Sequence, residues 1–182
     1  MAIKTFTSGE VLTASDTNTY LANGGLVSLQ EVTIGAAAAS VTVTNAFSST
    51  YNSYRIVITG TSCNAGGAFL YFQFTGLTSS GYNGAYSAWY FTGGNTVTNL
   101  NNTGYFIVGG LDTGTGNSTS FDVYAPQQAK RKSISGTAHG NGSAAVFGGQ
   151  VVTSNQETGF IITPSASTMN GGTILLMGYR KV

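Results

Sequence analysis

Apolar and polar residues alternate along most of the chain, in short segments that are separated by turn residues. In Ser53–Thr61, the side chains of Tyr54, Ile56 and Ile58 fall on one side of an extended strand, since successive side chains of a strand point to opposite faces. In Ala68–Phe74, both sides are largely apolar. This second pattern predicts a strand that is covered on both faces.

Nine further segments have the length and composition of strands, and they are joined by connectors such as NAGG, GTGN and NGG. Many short strands with Gly-rich turns and no helical periodicity predict an all-β fold, an antiparallel β-sandwich or jelly roll over residues 26–182. The nine segments are Leu29–Ile34, Ser40–Thr44, Tyr86–Phe91, Tyr105–Val108, Ser118–Tyr124, Ser133–His139, Val146–Thr153, Gly159–Thr163 and Thr173–Tyr179.

The first 25 residues do not share this pattern. Ser15 or Asp16 can cap a short helix over Asp16–Ala22, and the run Asn23-Gly24-Gly25 can end it. A helix of two turns is not stable alone. We therefore predict that residues 1–25 form an arm with one small helix, which docks either on its own sandwich or on a neighbouring subunit.

The composition narrows the class of protein. Charged residues make up 7% of the chain and the net charge is +1, against about 25% charged residues in an ordinary domain. The aromatic content of 12% argues against disorder, and no apolar run is long enough to predict membrane insertion. Weak repulsion between copies predicts an assembly subunit or a recognition surface, and the absence of a broad basic face predicts no nucleic-acid partner.

Catalytic motifs are scarce. The segment Leu111–Gly116, LDTGTG, resembles the active-site turn of aspartic proteases, but that chemistry needs two carboxylates sharing a proton and the motif occurs once. A site would have to form across a dimer, so we favour a turn between two strands, where Asp and Gly are common. His139, the single histidine, is expected at a subunit contact, and Cys63 is expected to be a buried hydrophobe. The sequence predicts neither an enzyme nor a cofactor or metal site.

The aromatic segment SGYNGAYSAWYF, residues 80–91, has two interpretations. Tyr82, Tyr86 and Tyr90 could form a surface that recognises a sugar or a protein, since tyrosines offer rigid amphipathic area. Alternate members could instead fill the sandwich. We favour the core for Trp89 and Phe91 and leave the tyrosines open.

The run Lys130-Arg131-Lys132 holds three of the seven basic residues. Short charge runs are usually solvated connectors, which is the interpretation we favour. The alternative is a local contact with an anionic polysaccharide or with an acidic patch on a neighbouring protein.

The opening FTSGEVLTASDTNTYLANGGL resembles the N-terminal segment of virion structural proteins of tailed bacteriophages, cyanophages among them, in which Phe-x-x-Gly-x-Val-Leu-Thr-Ala precedes an Asp and an Asn. The matching residues are Phe6, Gly9, Val11, Leu12, Thr13, Ala14, Asp16 and Asn18.

The rest of the chain resembles the β-sandwich module of phage tail-fibre and virion-decorating proteins, in TYNSYRIVITG, in FLYFQFTG and in SFDVYAPQQAKRKSISG. Its end matches best, since in that family a strand leads to an Asn-x-x-Gly turn and then to a final strand that closes in Gly-Tyr/Ile-Arg/Lys. The counterparts are Ile161, Ile162, Pro164, Asn170, Gly172, Thr173, Leu175, Gly178, Tyr179, Arg180 and Lys181.

The resemblance implies a non-enzymatic virion protein, made in the host cytoplasm without a signal peptide. It implies a short tail fibre or tail-tip component, commonly a homotrimer, that touches other virion proteins and the host surface, including its glycans. A capsid decoration or head-fibre protein is the alternative, and a carbohydrate-binding module a remote one. The arm would attach to the virion through Phe6, Val11, Leu12, Asp16, Asn18, Tyr20 and Leu21.

Overall fold

The computed structural model describes residues 7–11, 13, 25–114, 116–140 and 142–179. These residues form thirteen strands and, among them, no helix, which confirms the all-β prediction. The helix predicted over Asp16–Ala22 lies outside the described residues. The strands are β1 (Leu26–Thr33), β2 (Val41–Val43), β3 (Ser53–Cys63), β4 (Ala68–Phe74), β5 (Tyr82–Tyr90), β6 (Asn95–Thr103), β7 (Phe106–Leu111), β8 (Asn117–Tyr124), β9 (Lys132–Gly140), β10 (Ser143–Val151), β11 (Phe160–Pro164), β12 (Met169–Asn170) and β13 (Thr173–Tyr179).

The strands form two antiparallel sheets. The large sheet has the order β1-β13-β3-β8-β9-β10-β5-β6, with β12 paired beside it to one end of β3. The small sheet has the order β2-β11-β4-β7. The final strand β13 lies between β1 and β3, so the two ends of the sandwich sequence are joined by hydrogen bonds in one sheet.

The core is the layer between the sheets, and its aromatic rings connect them. Phe72 of the small sheet stacks on Phe160 with ring centroids 5.5 Å apart, and its edge meets Phe121 of the large sheet at 5.4 Å. All three rings are buried. In β3 the predicted alternation is confirmed, because Tyr54, Ile56 and Ile58 are the buried positions.

A glycine makes room for one of these ring contacts. Gly136 on β9 lies in register between Phe121 on β8 and Phe147 on β10. The two rings meet across it with centroids 5.8 Å apart. A Cβ atom on Gly136 would lie 2.3 Å from the Cβ of Phe121 and 2.5 Å from the Ser120 carbonyl oxygen, far inside van der Waals contact. The position therefore requires glycine.

Two strands are missing from the sequence prediction, β6 and the two-residue β12. β6 has the sequence NTVTNLNNT, and Leu100 is its one buried side chain. The strand lies at an edge of the large sheet, where it pairs with β5 alone among the described strands. An edge position needs little apolar side chain, so the periodic signal is weak.

Candidate functional site

The outer face of the large sheet is open to solvent, and no described residue covers it from β8 to β6. Side chains point outward at alternate positions and line up across the strands. One such row runs Val97, Ser87, Val146, Thr137 and Ser120 on successive strands β6, β5, β10, β9 and β8. We take this face as the candidate functional site, since its two ends differ in chemistry.

One end contains an ion pair, which we call the arginine cluster: Arg55, Asp122 and Tyr179. These residues come from β3, β8 and β13, which are neighbours in the sheet. The Arg55 guanidinium donates from Nε to Asp122 Oδ1 and from Nη2 to Oδ2, both at 2.8 Å. The Tyr179 hydroxyl donates to Oδ1 at 2.7 Å, and the guanidinium carbon lies 5.7 Å from the centre of the Tyr179 ring. Both oxygens of the carboxylate are thus hydrogen-bonded by neighbouring side chains.

The pKa shifts of the cluster follow from these contacts. Burial on its own would raise the pKa of Asp122, but the hydrogen bonds from Arg55 and Tyr179 outweigh it and hold the pKa below its ordinary value. The same hydrogen bond raises the pKa of Arg55. Burial and the bond to Asp122 raise the pKa of Tyr179 to about 12. All three groups therefore keep one protonation state at neutral pH, and none is prepared for proton transfer.

Shallow depressions lie along this end of the face. One, of about 410 Å³, is lined by Arg55 and Asp122 together with Ser120, Ser135 and Thr137. A second, of about 220 Å³, adjoins it between Val57 and His139. Hydroxyl groups dominate the lining, so the groove can exchange hydrogen bonds with a polar ligand. Its one carboxylate, that of Asp122, is already paired with Arg55, and His139 lines the adjoining depression.

The other end is apolar, and we call it the apolar patch: Trp89, Phe91, Val97 and Val146. The exposed fractions are 48% for Trp89, 74% for Phe91, 55% for Val97 and 45% for Val146. Ser87 on β5 lies opposite both valines, and Trp89 is two residues further along the same strand and face. Phe91 follows at the β5–β6 turn, where its backbone N–H donates to the Gly142 carbonyl at 2.9 Å.

Charge is distributed unevenly between the two ends. Residues 56–111, which include all of β5 and β6, contain no Asp, Glu, Lys, Arg or His. The arginine cluster holds a charge on each of β3 and β8. The apolar patch therefore lacks the charged residues that normally keep an exposed surface hydrated.

The structure corrects the interpretation of the aromatic segment. Tyr82 and Tyr86 are 0% and 3% exposed, so neither can recognise a ligand at the surface. The Tyr82 hydroxyl donates to the Leu77 carbonyl at 2.6 Å and accepts from the Phe74 N–H at 2.7 Å. Burial is the main reason that the pKa of Tyr82 is raised, and the same cause raises the pKa of Tyr86 to about 12.

Trp89 and Phe91 were predicted in the core, and that prediction is wrong. Strand β5 turns Tyr86 and Ala88 inward, so Trp89 points outward, and Phe91 lies beyond the strand end. Tyr90 is 36% exposed and remains available for surface contact.

The three residues of the basic run also differ in exposure. Lys130 and Arg131 are exposed, as a solvated connector predicts, whereas Lys132 is fully buried and cannot contact a partner. Its ammonium donates to the Thr153 carbonyl at 3.4 Å. Burial lowers the pKa of Lys132, although the charge of Glu157 opposes that shift.

Glu157 is also buried, at 1% exposure. One carboxylate oxygen, Oε2, accepts from the Gly76 N–H at 2.9 Å, while Oε1 has no hydrogen-bond partner. Burial raises the pKa of Glu157 despite the Gly76 N–H and the charge of Lys132. Because Lys132 and Glu157 are both buried, neither can form part of a binding surface.

The other candidates are Asp112, Cys63 and His139, and the expected role of His139 at a subunit contact stays a prediction. Asp112 follows β7 and accepts from the Thr113 N–H at 2.7 Å, as a turn residue does. Cys63 is buried, which confirms its prediction, and His139 is exposed on the outer face. No three His, Cys, Asp or Glu side chains converge as a metal site within the described part of the chain. Among those residues, no helix is long and apolar enough to cross a membrane.

Of the predicted attachment residues, Val11 is described, and it is 79% exposed. The others lie outside the described residues: Phe6, Leu12, Asp16, Asn18, Tyr20 and Leu21. The attachment role therefore stays a prediction.

Comparison with known proteins identifies no family for this chain. No protein-family model and no curated protein matches the chain. One similar solved structure is the crystal structure of A. japonicus CB05, with 10% identity and a TM-score of 0.33. The match covers 93% of this chain but 28% of that protein, so the chain spans little more than a quarter of its length. A likeness of this size carries no argument about function.

Proposed function

We propose that the protein is a non-enzymatic structural protein of a tailed-phage virion, a short tail fibre or tail-tip component. Residues 1–25 attach it to the tail or baseplate, and the sandwich projects outward and contacts other copies, as a homotrimer, and the host surface. The observation that carries the proposal is the outer face of the large sheet, a wide surface with few charges. Such a face suits packing against protein better than exposure to water.

Two further features support it. The sandwich closes its core within residues 34–176, and Val11, the predicted attachment residue that the structure describes, is exposed and free to enter a neighbour. The resemblance extends over both the N-terminal segment and the closing strand β13, whose bounds are Thr173–Tyr179. Because the core residues lie between Ile34 and Leu176, attachment through residues 1–25 would use no residue of this core.

For host recognition we propose a different location from the one that the sequence suggested. The groove beside the arginine cluster offers Ser120, Ser135 and Thr137 as hydrogen-bonding groups. Hydroxyl groups can both donate and accept hydrogen bonds, which suits a polar ligand such as a glycan. We include weak glycan contact through this groove in the proposal, in place of Tyr82, Tyr86 and Lys132.

Deletion of residues 1–25 tests the attachment. The truncated protein should fold, with a cooperative thermal transition like that of the full chain, yet be absent from particles assembled in its presence. The full chain in the same assembly is the control. Unfolding of the truncated protein, or its normal incorporation, contradicts the division into arm and sandwich.

The position in the particle separates the two virion alternatives. Cryo-electron microscopy of particles carrying the full chain should show it at the tail or baseplate. Copies distributed over the capsid shell would instead make it a decoration or head-fibre protein.

A further inference from the structure

We propose that the apolar patch, together with the neighbouring edge of β6, binds a second copy of this chain. The inference adds a defined contact surface to the proposed function and does not depend on the virion address, since self-association can be measured on the isolated protein.

The edges of the two sheets provide the first argument. A strand edge exposes unpaired N–H and C=O groups, and proteins usually protect it by shortening, covering, bending or charging the strand. In the small sheet, β2 has three residues and every residue of β7 is buried. In the large sheet, β1 carries Glu31 and a bulge between Ser28 and Gln30. Three edges are therefore protected.

The edge at β6 has much less protection. It is nine residues long and includes neither charge nor proline, and its regular part, Asn95–Leu100, is mostly exposed. A bulge is present only at its far end, opposite Tyr82 and Gly84. Residues 95–99 thus present free hydrogen-bonding groups next to the apolar patch.

The apolar patch provides the second argument. Four of the ten large hydrophobic side chains that the structure exposes form this patch: Trp89, Phe91, Val97 and Val146. Scattered exposed apolar residues are normal, but a contiguous group beside an open strand edge is typical of an interaction site. Tryptophan is also the residue most enriched among those that dominate binding energy.

The absence of charged residues around the apolar patch indicates which molecule binds there. A partner with a charged surface would find no counter-charge here, because residues 56–111 contain no ionisable Asp, Glu, Lys, Arg or His. A second copy brings the same charge-free surface, so contact places no like charges opposite each other and leaves none unpaired. Subunits of a cyclic oligomer present such a surface to a common axis. The patch therefore complements itself better than it complements a charged protein surface.

A matched pair of substitutions tests the inference. Val146 and Val152 are both valines, with exposed fractions of 45% and 44%, but only Val146 belongs to the patch. The variants Val146→Lys and Val152→Lys each add one charge at an equally exposed site. Sedimentation velocity over a concentration series, with native mass spectrometry for the copy number, measures the association of each variant and of the full-length protein.

We expect the unmodified chain and Val152→Lys to associate alike, and Val146→Lys to dissociate with a constant raised at least about tenfold. Circular dichroism checks that both variants keep the native strand content, and Trp89→Ser should weaken association in the same way. A chain that stays monomeric at its solubility limit overturns the proposal. So does equal association of the two lysine variants, or capture of a glycan by the monomer through Trp89.

Discussion

The two ends of the outer face are built on one sheet by the same alternation of side chains. They differ in whether their exposed groups have partners within the protein. At the arginine cluster, polar groups from three strands satisfy one another, with Asp122 accepting three hydrogen bonds. At the apolar patch, nothing among the described residues covers Trp89 or Val97. The difference teaches that exposure alone does not identify a binding surface. What matters is whether the exposed groups already have partners.

The largest expected effect concerns the core that both ends share. Gly136→Ala forces a Cβ between Phe121 and Phe147, and we expect it to lower the free energy of unfolding by about 2 to 3 kcal/mol. Chemical denaturation measures the loss. Gly35→Ala is the matched control, because no atom lies within 4 Å of its Cβ position, and it should change stability by less than about 0.5 kcal/mol. Equal effects would mean that the ring contact beneath the face is not tightly packed.

A smaller effect is expected at the arginine cluster. Asp122→Asn removes the charge that Arg55 and Tyr179 bind, and we expect a loss of about 1 kcal/mol, since the Arg55 side chain is 38% exposed and solvent screens the pair. Association should be unchanged, because the cluster is not part of the proposed contact. A fall in association with unchanged stability would contradict the division of the face.

The stability difference between the natural chain and Asp122→Asn should also depend on pH. The folded pKa of Asp122 lies below its unfolded value of about 3.9, so its contribution is present above the unfolded pKa and is lost as the pH falls through the folded pKa. The stability difference between the natural chain and Asp122→Asn should therefore be constant at neutral pH and shrink in acid. Denaturation curves measured from pH 6 to pH 2 check this. A difference that grows in acid would have the wrong sign for a carboxylate stabilised by its neighbours.

The smallest effect on folding is expected at the apolar patch. Val97→Thr conserves shape at a side chain that is 55% exposed, so the unfolding free energy of the dilute protein should change by less than about 0.5 kcal/mol. The rise of the melting temperature with protein concentration, which association produces, should become weaker. Differential scanning calorimetry at low and high concentration separates the two effects. A large loss of stability in the dilute protein would show that Val97 belongs to the fold.

The sequence pattern predicts most of the fold because large apolar residues mark most strands. The bounds of Ala68–Phe74 and Thr173–Tyr179 are predicted without error, and the alternation of Tyr54, Ile56 and Ile58 identifies the buried face of β3. Strand β6 escapes prediction because an edge strand of Asn and Thr buries almost nothing. Because few side chains of β6 are buried, the apolar pattern does not reveal this strand, and the same exposure leaves its edge free to bind.

The candidate site is harder to predict. Alternation puts Tyr82 and Tyr86 on one face of β5 and Trp89 on the other, but it does not say which face is inward. Arg55 and Asp122 meet because β3 pairs with β8 in a particular register, which neither segment specifies alone. Lys132 ends a basic run in the sequence, yet it is the first residue of β9 and points inward. Each of these facts depends on pairing between distant segments.

Amide hydrogen exchange on the full-length protein, at low and at high concentration, tests the central claim that only one end of the outer face is an interface between copies of the chain. We predict that the amides of Asn95–Leu100 in β6 exchange more slowly at high concentration, while those of Ser53–Val57 in β3 do not change. Protection that appears at the arginine cluster, or is absent at β6 when the protein is associated, would contradict the account.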